Sequence, residues 1–170
     1  TTALNDDSVY LAVGNKLVSL TLDTLRSSLT HAIQTQGFEG AITFCNERAY
    51  PLTNTYADSV IIKRTSLQVR NPGNAADSLE QLVLQEMNQD VQTQKEVKPK
   101  IIRESLRGEV HYFKPILLQA MCLNCHGNPQ TQIQPATLTK INQLYPADQA
   151  IHFKEGDLRG MWHIIFKQKR

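Results

Sequence analysis

No stretch of this sequence approaches the roughly 18 consecutive apolar residues that a membrane-spanning helix needs. Its opening, TTALNDDSVY, lacks a basic segment followed by an apolar core, so no export signal is legible in it. Those residues suit a cytosolic chain or a mature exported chain whose signal has been removed. Blocks of one charge sign are also missing and the formal net charge is only +2, which argues against a nucleic-acid or membrane-surface partner. There are no internal repeats and no low-complexity tracts, which excludes a repeat array. Cysteine is scarce, and three is an odd number, so a fully paired disulfide framework is excluded.

What is present fits one soluble domain. A chain of 170 residues, 41% hydrophobic and 20% charged, is long enough to bury a substantial core. Leu11, Val18, Leu22, Leu25, Leu29 and Ala32 recur at heptad spacing, which predicts a long amphipathic N-terminal helix stopped near Gly37. Its apolar seam is expected to lie on its own domain, with an extended dimer helix as the alternative. Ala41, Ile42, Cys45 and Ala49 share one face of a second helix, from about Glu39 to Ala49, that Pro51 should interrupt. The β-branched run SVIIKRTSLQVR before a Pro-Gly turn reads as a strand, and Leu79, Leu82, Val83, Glu86, Met87 and Val91 as a third helix with Asp77 near its start.

The segment from Lys100 to Leu118 reads as an antiparallel hairpin turning at Arg107-Gly108, and DLRGMWHIIFKQ as a final strand. Between His126 and that final strand lie about 30 residues with a helical hint only at Thr137 to Leu144; a connection of that length usually has a task such as covering a site.

The chemistry concentrates in Cys122-Leu123-Asn124-Cys125-His126. Zinc ordinarily takes four nitrogen or sulfur ligands, and no second Cys or His pair follows at short spacing. A redox disulfide of the thioredoxin type wants a parallel βαβ setting, whereas this half of the chain reads as antiparallel. The pattern Cys-x-x-Cys-His is that of covalent haem c attachment: both thiols add to the haem vinyl groups as thioethers and the histidine is tethered beside the iron. One haem c per chain is therefore expected, with His126 as proximal ligand. Because that attachment is made outside the cytoplasm, the precursor is expected to carry an export signal.

Several residues qualify for the second axial position: Cys45, Met87, Met161, His31, His111, His152 and His163. Met121 is too near the attachment cysteines to reach the far side of the ring. Cys45 shares the apolar helix face that suits a pocket wall, against the plainer reading of a buried structural cysteine. Arg64 and Arg70 are the candidates for pairing with haem propionates.

Three segments, IIKRTSLQVRNPGNAADSLE, YFKPILLQAMCLNCHG and YPADQAIHFKEGDLRGMW, together resemble a bacterial and cyanobacterial family of c-type-haem sensor domains, long catalogued as a domain of unknown function. The resemblance runs from about Gly40 to Phe166. It implies an α+β, PAS-like fold: an antiparallel sheet flanked by helices, with residues 1–38 as a long helix packed on or leading into a domain of residues 39–170. It also implies haem attachment at Cys122 and Cys125, ligation by His126 and, from AITFCNERAYP, Cys45 as distal ligand. An exported location follows, in the periplasm or thylakoid lumen, with membrane association through a segment absent from these residues. No kinase or methyl-accepting region follows Lys169-Arg170, so a signalling role would require a partner protein. The expected function is redox or diatomic-gas sensing, with a small electron-transfer cytochrome of fixed ligands as the alternative. A peroxidase-like enzyme is disfavoured, since no spaced acid/base pair signals one.

Overall fold

The computed structural model describes residues 7–167; the Lys169-Arg170 terminus lies outside them. Helix α1 spans Asp7–Phe44 and bends at Gly37, whose φ of 69° is the left-handed conformation glycine adopts without penalty. The expected stop at Gly37 is thus a kink, after which the helix resumes. It continues into a π-helical turn, Cys45–Ala49, and a short α2, Tyr50–Thr53. Pro51 interrupts nothing, because it occupies the first turn of α2, where a missing backbone N–H costs little.

Strands β1 (Thr55–Tyr56) and β2 (Val60–Thr65) come next, then α3 (Ser78–Gln92), β3 (Lys100–Glu104) and β4 (Glu109–Leu117). Helices α4 (Leu123–His126) and α5 (Pro135–Leu144) follow, and β5 (Leu158–Phe166) closes the chain. All pairings are antiparallel in the order β1-β2-β5-β4-β3, so the last strand is the central one. This is the α+β, PAS-like arrangement. α3 starts at a capping box in which the Asp77 carboxylate accepts from Glu80 N and the Glu80 carboxylate accepts from Asp77 N, each at 2.9 Å.

The period-two alternation of the strands divides the core. One sheet face buries Ile62, Tyr112, Trp162 and Ile164 against Val18 of α1. The other buries Phe113, Leu158 and Met161 against Val83, Leu84 and Met87 of α3. The heptad seam therefore lies on its own domain: Val18, Leu25 and Ala32 are buried. A Cβ at Gly14 would sit 2.5 Å from the Tyr112 ring, and the Tyr112 hydroxyl donates to Asn15 Oδ1 at 2.9 Å. α1 and sheet meet closely at this end and diverge beyond it. The long connection after α4 is largely ordered by α5, whose Ile141, with Tyr145 just beyond, packs on Ile42.

Candidate functional site

Where α1 diverges from the sheet, a cavity of about 400 Å³ opens, within the usual range of small-molecule sites. Leu22, Leu25, Leu29 and Ile33 form one wall and Ile116 and Trp162 the facing one. Cys45 looks in from the π-helical turn, a local geometry that recurs at functional sites. Cys122, Cys125 and His126 close the end. The cavity thus collects Cys45, the two motif cysteines, His126 and both candidate arginines, Arg64 and Arg70. Of the other distal-ligand candidates, Met87, Met161, His111 and His163 sit on the opposite side of the sheet, and His31 and His152 are exposed. Met121 lines the cavity but is 61% exposed.

His126 ends the single turn α4, and its Nδ1 donates to the Ala150 carbonyl at 2.7 Å. Burial, reinforced by the nearby Arg159 and Arg70 charges, holds its pKa well below the ordinary value, so the ring is neutral. With Nδ1 committed, Nε2 is the nitrogen left available, and a backbone carbonyl on the other ring nitrogen is the arrangement common to metal-bound histidines. Burial pushes the Cys125 thiol up to about 11 and also raises that of Cys45, where Arg64 and Arg70 oppose the shift. The loop carrying Ala150 is in turn tied down by Arg70, whose Nη2 donates to Cys125 O at 2.7 Å, Asp148 Oδ2 at 2.9 Å and Ala150 O at 3.1 Å. One guanidinium therefore links the motif to the carbonyl that orients its histidine.

Arg159 was not legible as a site residue. Strict alternation from Trp162 would place it on the α3 face. Between Ile116 and Leu117, however, the β4–β5 register jumps from Gly160 to Leu158, leaving Arg159 unpaired in a bulge. The bulge turns it into the cavity lining, as bulges near functional sites commonly re-aim a side chain. Burial and repulsion from Arg70 and Arg64 lower its pKa to about 10. Three guanidinium groups thus share this lining, of which Arg70 is paired with Asp148, and the Nε atoms of Arg64 and Arg70 are buried without hydrogen-bond partners among the described residues. An apolar slot with an imidazole nitrogen, a thiol, two further thiols and surplus buried cations fits a flat apolar group that carries a metal and carboxylates.

Comparison with known proteins agrees with this architecture. The Tll0287-like family profile matches residues 13–166. The chain belongs to that family. Among solved structures, it is similar to the crystal structure of the cyanobacterial heme-protein Tll0287, at 22% identity and a TM-score of 0.61, over 92% of this chain and 96% of that one. No curated protein sequence matches.

Proposed function

We propose that this Tll0287-like protein binds one haem in the cavity and acts as a redox or gas sensor rather than as an enzyme. The observation that carries the reading is the convergence of Cys45, from the far end of α1, on the same cavity as Cys122, Cys125 and His126. The description of its structural neighbour as a heme-protein supports it.

When bound, haem supplies a one-electron couple and an iron with two axial positions. Cys122 and Cys125 would hold it through thioether bonds, and His126 Nε2 and the Cys45 thiol would be its iron ligands. Arg64 and Arg159 pair with the propionates; Arg70, whose Nη2 is engaged elsewhere, offers its Nε. The sensing role would fall to Cys45, because a thiolate favours an oxidised metal; on reduction by an external donor the buried sulfur, whose pKa burial raises, would take up a proton and leave, and a diatomic ligand could then bind. The Cys45 turn is continuous with α1 beyond the Gly37 kink, so its release would be felt along the helix, which then hands the signal to a partner protein. Covalent attachment, which is made outside the cytoplasm, would require an exported compartment.

The test compares absorption and EPR spectra of wild type and Cys45→Ala in both redox states. The ferric spectrum is expected to change in the variant, and reduced wild type is expected to bind CO or NO. A ferric spectrum that Cys45→Ala leaves untouched removes the distal assignment. Coordination that never changes on reduction would replace the sensor reading with that of an electron carrier of fixed ligands.

A further inference from the structure

The sheet face away from the cavity carries a second constellation. Glu104 and Glu109 are directly opposed across the β3–β4 hairpin, and His111 follows two residues later on the same face. Opposed like charges destabilise an antiparallel pair. Among the described residues, neither carboxylate has a Lys or Arg within ion-pair distance. Instead both face His111 Nε2, at 3.7 Å from Glu104 and 3.8 Å from Glu109, too far for hydrogen bonds. That nitrogen is buried with no hydrogen-bond partner, on a residue only 5% exposed.

The protons can be assigned from the far end. Glu80, fully buried and ionised, can only accept, so His163 Nδ1 donates to Glu80 Oε1 at 2.6 Å. His163 Nε2 in turn lies 2.9 Å from His111 Nδ1, so that nitrogen of His111 is engaged. With Nδ1 so engaged, His111 presents Nε2 to the two carboxylates with no hydrogen bond among the described residues, and a cation between the three would complete the group.

We propose that Glu104, Glu109 and His111 bind a divalent cation of the Zn²⁺ class, oriented by His163 and Glu80. The three ligand atoms lie within 4.8 Å of one another. Tetrahedral Zn²⁺ at about 2.1 Å from each would separate them by roughly 3.4 Å, a few tenths of an ångström inside the two His111–carboxylate distances, and the partly exposed Glu104 has room to close onto the ion. The imidazole selects against Ca²⁺ and Mg²⁺, which prefer oxygen alone. Three protein ligands leave a fourth position for water at the hairpin surface. Behind His111, His163 and Glu80 form a relay that holds its ring in place and orients Nε2 toward the proposed ion. This site is independent of the cavity and of its occupant.

The test is calorimetric titration of the haem-loaded chain with Zn²⁺, paired with X-ray absorption at the zinc edge. One Zn²⁺ per chain with nitrogen and oxygen ligands is expected, undiminished by millimolar Mg²⁺. The double variant E104Q/E109Q, altered only at the hairpin end, is expected to abolish binding with haem absorption unchanged. His163→Gln is expected to weaken it by roughly 10–100-fold, again with haem absorption unchanged. Wild-type affinity in E104Q/E109Q, sulfur ligands at the zinc edge, or no uptake by the native chain would each overturn the site. Wild-type affinity in His163→Gln would overturn the positioning role.

Discussion

Glu80→Gln tests the buried charge chain beneath α3. The carboxylate is fully enclosed and lies 2.6 Å from Lys63 Nζ and 2.6 Å from His163 Nδ1. Burial alone would raise its pKa, but the hydrogen bonds from His163 and Lys63 outweigh burial and bring it from 4.5 down to about 2. At 1.36 kcal/mol per pH unit, that drop makes the ionised form worth roughly 3 kcal/mol to the fold. The sign follows from the lowered value: the contribution is fully present above pH 4.5 and is lost as the pH falls toward 2. Glutamine cannot ionise. The variant should therefore be less stable than wild type by roughly 3 kcal/mol at neutral pH, and the gap should close between pH 4.5 and 2. Urea unfolding midpoints at a series of pH values measure it directly. A gap independent of pH, or one within the roughly 0.5 kcal/mol of ordinary surface substitutions, would refute the reasoning.

Replacing both Cys122 and Cys125 by alanine should convert a haem that stays with the chain on a denaturing gel into one extracted by acidified solvent; retention in the double variant would contradict thioether attachment. Arg70→Gln, which removes the tie between Cys125 O, Asp148 and Ala150 O, should broaden the haem absorption and EPR signals through a loosened His126 more than it shifts the thermal midpoint. Gly14→Ala puts a methyl group against the Tyr112 ring; overpacking of this kind costs about 1–3 kcal/mol, measured by thermal unfolding. At Gly37, φ of 69° makes Gly37→Ala costly by about 1–3 kcal/mol, and the same measurement should show it.

Features set by near neighbours were legible. The Cys-x-x-Cys-His motif lies within a single short stretch, so its spacing alone specifies which side chains act together. The heptad seam of α1, the Asp77 cap and the Arg107-Gly108 hairpin are likewise local consequences of helical period, orphan N–H groups and turn chemistry. The glycine and the helix on its far side were both visible, although not that the two would run on as one helix kinked at Gly37 rather than as two separate ones.

Residues that act across the sheet were not legible. That β5 is the central strand, that a bulge turns Arg159 toward the cavity, and that Glu104, Glu109 and His111 converge all depend on strand register. Register is set by pairing over long sequence separations, to which no local pattern answers. Cys45 stands between the two cases. Sequence placed it on an apolar helix face, one reading among several for a distal ligand. Only the divergence of α1 from the sheet, close at Gly14 and open beyond Val18, decided that this face and the motif line the same space.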